Sequence, residues 1–118
     1  MGNPVTHWQI VTKDPEGAAA FYQQMFGWRV DGDNALNYRM IDTQSGGKGV
    51  PGGIWPIPPE GQALVQLFVE VGDVDAATEK AKELGAAVVM PKQVLPDGDE
   101  MAIIHDNFGI TFGLCRKV

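Results

Sequence analysis

The chain has 118 residues and is 44% hydrophobic, which is enough to build one packed core, so we expect a single domain over residues 1–118. Nine Lys and Arg against fifteen Asp and Glu give a net charge of −6, which disfavours nucleic acid and anionic membranes as partners. A lone cysteine excludes an intramolecular disulfide, and the N-terminus lacks a signal-peptide pattern. We therefore expect a cytoplasmic protein.

The N-terminal quarter predicts a strand followed by a capped helix. Val5–Thr12 is rich in β-branched and aromatic residues, as strands are. Asp14 can cap a helix that has Pro15 in its first position, and Gly27 supplies a conformation that ends helices. Between them, apolar residues recur at helical spacing. They are Ala18, Phe21, Tyr22, Met25 and Phe26.

Short extended segments separated by turn-forming residues follow this helix. They are Trp28–Val30, Leu36–Ile41 and Gly53–Trp55. The proline-rich stretch Ile57–Gln62 cannot pair well inside a sheet, which marks a linker. We place the first module at 1–56, the linker at 57–63 and a second module at 64–118.

The second module repeats the pattern of the first. Val65–Val71 predicts a strand, Asp73 a helix cap and Gly85 a helix end, with Asp73 lying 59 residues after Asp14. Further strands are predicted at Ala87–Val89, Met101–His105 and Ile110–Cys115. The fold class predicted is α+β, built from two βαβββ modules.

Several short motifs resemble the vicinal-oxygen-chelate superfamily, which includes glyoxalase I, bleomycin-resistance proteins and extradiol dioxygenases. In chain order they are His7–Ile10, Ala19–Tyr22, Phe26–Trp28, Val74–Ala77, Glu83–Ala86, Asp106–Gly109 and Phe112–Leu114. Their order, spacing and repetition cover nearly the whole chain. The resemblance implies a cup that holds a small molecule, and a homodimer.

Metal-dependent members of that superfamily hold a divalent ion with four residues. Carried over to this chain, the four positions are His7, Gly53, Gln66 and Gly113. One imidazole, one amide and two glycines are a poor donor set for a divalent metal. We therefore predict no metal ligand and expect no cofactor, and we expect the two glycines to open volume for a ligand.

Strand alternation divides the first strand of each module into two faces. Trp8 and Ile10, and likewise Leu67 and Val69, suit packing on the helices. The opposite face, with an aromatic residue and two glycines nearby, has the mixed character of a small-molecule site. The predicted ligand-binding residues are His7, Gln9, Gly53, Trp55, Gln66, Phe68, Glu70 and Gly113.

Each of these residues also has a purely structural interpretation. His7 can be a hydrogen-bonded strand histidine, and Gln66 and Glu70 can be solvated or lie in a dimer interface. His105 is expected to serve the following turn, and Cys115 to be a buried thiol.

Three functions stay open from the sequence. The first is a metal-free protein that binds a small organic molecule, like the drug-sequestering members of the superfamily. The second is a lyase, isomerase or dioxygenase, either metal-dependent or using His7 as the catalytic general base. The third is a dimerisation or interaction domain.

Overall fold

The computed structural model describes residues 2–58 and 60–118, which form two compact units. The first unit comprises His7–Gln66, and the second comprises residues 2–6 together with Leu67–Val118. In chain order the elements are β1 (Val5–Thr12), α1 (Pro15–Phe26), β2 (Arg29–Asp31), β3 (Arg39–Asp42), β4 (Gly52–Pro56), β5 (Leu64–Glu70), α2 (Val74–Glu83), β6 (Ala87–Val94), β7 (Glu100–His105) and β8 (Thr111–Arg116).

The two units have the same topology. Strand order is β2-β3-β4-β1 in the first and β6-β7-β8-β5 in the second. In each, the strand before the helix runs parallel to the last strand, and the remaining pairs are antiparallel. The two predicted βαβββ patterns and the α+β class are therefore confirmed.

Both helices begin at the predicted caps. The Asp14 carboxylate accepts a hydrogen bond of 3.0 Å from the amide of Gly17, and Asp73 does the same for Ala76, also at 3.0 Å. Each satisfies an amide that has no partner inside its own helix. Gly27 follows α1 with a φ of 71°, in the left-handed region where glycine carries no steric penalty.

Each unit has its own apolar core between its helix and its strands. The first is centred on Ala19, Ile41 and Ile54, with Trp8 and Trp28 packed against it. The second contains the buried residues Val71, Val74, Ala102, Ile104 and Leu114. The prediction that Trp8 packs on the helix side of its strand is confirmed.

Two predicted packing faces are wrong in part. On α1, Phe21, Met25 and Phe26 are 58%, 62% and 52% exposed, because the helix meets the sheet through the small residues Ala18 and Ala19. On β5, Leu67 is exposed as well, and does not pack beneath the helix.

Strand boundaries differ from the prediction by more than one residue at two places. β3 begins at Arg39, three residues late, because the Asn34 side chain bonds the backbone of Tyr38 and holds the preceding segment in a turn. β6 continues through Pro91 to Val94 with irregular register. It is the outer strand of its unit, where a missing backbone donor and bulges are tolerated.

Candidate functional site

Four polar side chains of the first unit form a hydrogen-bonded chain. His7 Nε2 lies 2.9 Å from the hydroxyl of Tyr38. That hydroxyl donates to Oε1 of Gln9 at 2.9 Å, and Nε2 of Gln9 donates to Oε1 of Gln66 at 3.3 Å. Gln66 is 8% exposed, and the other three side chains are half-buried. The structure thus brings together three predicted residues, His7, Gln9 and Gln66, through a fourth.

The direction of the bonds in this chain indicates which atom donates between His7 and Tyr38. Because the only hydroxyl proton of Tyr38 is given to Gln9, the oxygen of Tyr38 accepts from Nε2 of His7. The bond to Tyr38 therefore orients the imidazole ring of His7.

The connection between β2 and β3 positions Tyr38. The amide of Tyr38 donates to Asn34 Oδ1 at 2.8 Å, and Asn34 Nδ2 donates to the Tyr38 carbonyl at 2.6 Å. Burial raises the pKa of the Tyr38 phenol above its ordinary value of 10.0, so the phenol stays neutral near physiological pH. A neutral phenol both donates and accepts, as this chain of hydrogen bonds requires.

The Tyr38 ring fills the space over Gly53. Gly53 is the register partner of Gln9, and a Cβ added to it would overlap the ring of Tyr38. The ring also meets the indole of Trp55, with centroids 5.7 Å apart, and Trp55 is 38% exposed. The predicted residues Gly53 and Trp55 therefore lie beside the polar chain, and Trp55 supplies partly exposed aromatic surface.

The second unit has the equivalent arrangement without the polar groups. Phe68 is the register partner of Gly113, and a Cβ on Gly113 would overlap the Phe68 ring. Phe68 is 4% exposed and packs with Ile103 and Cys115. The space over both glycines is filled by aromatic rings, which corrects the expectation that their missing side chains leave open volume.

Glu70 and two other residues considered from the sequence also lie in the second unit. The amide of Glu70 donates to the carbonyl of Pro4 at 2.9 Å, and its side chain is half-buried. His105 Nδ1 lies 2.9 Å from Thr111 Oγ1, across the turn that joins β7 to β8, which agrees with a turn-supporting role. Cys115 is buried as predicted, and burial raises the pKa of its thiol.

The residues at the four superfamily metal positions do not fit a divalent ion. His7 directs Nε2 at a phenol, Gln66 offers an amide, and aromatic rings cover Gly53 and Gly113. Within residues 2–58 and 60–118, no group of three or more His, Cys, Asp or Glu side chains is arranged to hold a metal. Hard cations and first-row metals need more carboxylate or imidazole donors than these positions provide.

Tyr38 is the site residue that the sequence analysis missed. It precedes β3, and Ile41 on that strand faces the helix and the core. Residues three apart on an extended segment lie on opposite faces, so Tyr38 falls on the face of His7. Counting the alternation back from Ile41 could have identified it.

Comparison with known proteins identifies related sequences. A family model described as "Glyoxalase-like domain" matches residues 7–115. Two curated proteins, both named "Putative glyoxylase CFP32", from Mycobacterium bovis and Mycobacterium tuberculosis, are 31% identical over 111 residues. The match covers 89% of this chain and 42% of each relative, so the chain spans about two-fifths of their length.

Solved structures with the same fold are more distant in sequence. Methylmalonyl-CoA epimerase from Mycobacterium tuberculosis has a TM-score of 0.72 at 15% identity, covering 97% of this chain and 87% of its own. Hypothetical protein BH1468 from Bacillus halodurans has a TM-score of 0.74 at 13% identity, with coverages of 100% and 96%. A variant of Streptomyces coelicolor methylmalonyl-CoA epimerase in complex with 2-nitronate-propionyl-CoA gives 0.66 at 16%, with coverages of 98% and 94%.

Among the helices that the structure describes, none is long and apolar enough to cross a membrane.

Proposed function

Because the chain belongs to the glyoxalase-like domain family, we propose that it binds a small organic molecule without a metal ion, through the His7, Tyr38, Gln9 and Gln66 face of its first unit. The observation that carries this proposal is the series of hydrogen bonds that links His7 and Gln66 through Tyr38 and Gln9. His7 is committed to Tyr38, and the ring of Tyr38 occupies the Gly53 position.

The chemistry of this face suggests the class of ligand. It combines oriented amide and imidazole groups with the partly exposed indole of Trp55, 5.7 Å from the Tyr38 ring. Small-molecule sites pair apolar or aromatic surface with a few fixed polar groups in this way. The net charge of −6 and the indole favour an aromatic or cationic compound that also carries a hydrogen-bonding group.

A thermal-shift screen against small aromatic and cationic compounds, in buffer containing EDTA, tests this proposal. We expect at least one compound to raise the melting temperature, with affinity about tenfold weaker in Gln66→Ala, equivalent to roughly 1.4 kcal/mol. Gln93→Ala, which removes an exposed glutamine from the second unit, is the matched control and should leave affinity unchanged. Binding that requires added Mn²⁺ or Ni²⁺, or a panel with no ligand at all, would contradict the proposal.

A second candidate function is metal-free proton transfer, and the fixed orientation of His7 favours it. The hydrogen bond of 2.9 Å between Nε2 of His7 and the hydroxyl of Tyr38 holds the imidazole in one position. A histidine held in a fixed orientation can act as a general base toward a carbon acid. Several proteins of the same fold are methylmalonyl-CoA epimerases, which makes thioesters with an acidic α-proton suitable probes.

Exchange of the α-proton of methylmalonyl-CoA in D₂O, followed by NMR with EDTA present, separates the two candidates. Catalysed exchange that falls at least about a hundredfold in His7→Ala would assign His7 as the base, within the range typical of general bases. Exchange at the uncatalysed rate would contradict the proton-transfer function, and ligand binding would be the remaining candidate. Exchange that survives in His7→Ala would exclude His7 as the base.

A further inference from the structure

A cleft opens on the helix side of the first unit, between α1 and the connection from β2 to β3. Its volume is about 270 Å³. It shares no residue with the hydrogen-bonded series that contains His7. The lining residues are Glu16, Ala19, Ala20, Gln23, Val30, Gly32, Asn37 and Arg39.

Arg39 is the main charged group of this cleft. Its side chain is 22% exposed, and its ion-pair partner is Glu16 at 3.8 Å, a residue whose own side chain is 88% exposed. Charge-assisted bonds between guanidinium and carboxylate are about 2.7–2.9 Å long, so this pair is loose, and pairs involving exposed carboxylates contribute little. Within the part of the chain that the structure describes, Glu16 is the carboxylate paired with the guanidinium. A partly buried arginine with five donors therefore lines the cleft, and its ion pair is a loose one.

The rest of the lining suits a ligand that is polar at one end. The carboxamides of Gln23 and Asn37 can donate beside the guanidinium, while Ala19, Ala20 and Val30 offer apolar surface. Sites for drug-sized ligands occupy about 300–1,000 Å³, so this cleft, which is smaller, suits a molecule of only a few carbon atoms.

The segment that precedes Arg39 is held in a defined conformation by contacts within the protein. Asn37 adopts a φ of 52°, uncommon for a residue other than glycine, and its amide donates to the carbonyl of Asn34 at 3.0 Å. A Cβ on Gly32 would lie 3.1 Å from Asn37 Oδ1 and 3.7 Å from Cγ of Arg39. The glycine thus lets both side chains pack against the turn, which limits the conformations that a ligand must select.

From these observations we propose that the α1 cleft binds a small organic carboxylate with a short apolar body. The guanidinium of Arg39 receives the carboxylate as a planar bidentate partner, and Glu16 is displaced toward solvent. A single negative charge is the preferred one, because Glu16 and the net charge of −6 oppose a doubly charged phosphate.

Titration of the ¹⁵N-labelled protein with sodium propanoate, against sodium chloride at equal ionic strength, tests this site. We expect saturable shifts of the Arg39 Nε–Hε signal and of the amides of Ala20 and Asn37, with half-saturation near roughly 1 mM. Arg39→Gln should abolish saturation. Arg29→Gln is the matched control, because Arg29 is an exposed arginine on β2 with only a 4.0 Å contact to Asp31, and it should bind normally.

Two further variants keep the test decisive if Arg39→Gln fails to fold. Arg39→Lys retains the charge but loses the planar fork, and should weaken propanoate binding at least about fivefold. Glu16→Gln removes the competing carboxylate and should strengthen binding about twofold, as expected for a weak exposed pair. Equal shifts with chloride, unchanged binding in Arg39→Lys, or tighter binding of inorganic phosphate than of propanoate would each overturn the proposal. Unchanged propanoate binding in Gln66→Ala is expected, because the two sites share no residue.

Discussion

The two units share one topology, yet they cover the same glycine position with rings of different chemistry. In the first, the ring over Gly53 belongs to Tyr38, whose hydroxyl joins His7 to Gln9. In the second, the ring over Gly113 belongs to Phe68, which has no polar group and lies in an apolar cluster. One unit therefore uses this position to orient polar side chains, and the other uses it to build core.

The largest expected effect is at Phe68. Phe68→Ala should lower the free energy of unfolding by about 4 kcal/mol, because it removes a 4% exposed ring and leaves a cavity against Ile103 and Cys115. The repeat-equivalent change, Gln9→Ala, should lower it by only about 2 kcal/mol, through the lost hydrogen bonds to Tyr38 and Gln66. Urea unfolding of both variants measures the difference. Equal losses would contradict the assignment of Phe68 to the core and of Gln9 to a hydrogen-bonded surface.

Adding a methyl group at the glycines gives the next largest effect. Gly113→Ala should destabilise by about 3 kcal/mol, because Phe68 is part of a strand and a core and cannot move away from the new Cβ. Gly53→Ala should destabilise by about 1–2 kcal/mol, because Tyr38 follows a surface turn and can swing outward. Thermal unfolding of the pair tests the order. The reverse order would mean that the turn holds Tyr38 more rigidly than the core holds Phe68.

The smallest effect concerns the Tyr38 hydroxyl and depends on pH. Tyr38→Phe should destabilise by about 1–2 kcal/mol at neutral pH, since two hydrogen bonds are lost. The folded-state pKa of Tyr38 is raised above 10.0, so the unfolded chain ionises first, and the contribution of the phenol is present below pH 10 and lost as pH rises further. The stability of the wild type should therefore fall toward that of the variant above pH 10. Denaturant unfolding at pH 8 and at pH 11 measures this, and a constant gap would contradict it.

The sequence predicts the fold far better than it predicts the environment of the site. Caps such as Asp14 and Asp73, and the alternation of Trp8 and Ile10, are local signals that fix elements and faces. Strand alternation places Gln9 and Gln66 among the predicted ligand-binding residues, but it does not predict their hydrogen bond. Tyr38 lies 31 residues from His7, and its approach depends on the turn held by Asn34. Strand alternation can indicate the face on which Tyr38 lies, but not this turn. The position of the Tyr38 ring over Gly53 therefore could not be predicted from the sequence around the glycine.

The pairing of each glycine with one ring also bears on how this scaffold could change by mutation. A side chain introduced by Gly53→Glu would collide with Tyr38, so this substitution alone should destabilise the protein. Replacing Tyr38 alone with a smaller residue should leave a cavity beside Trp55. Each single variant should therefore be less stable than the wild type, and the double variant should recover part of the loss because the new side chain fills the space that Tyr38 occupied. Substitutions at these two positions are therefore expected to be epistatic, and any attempt to engineer a metal site here has to make them together.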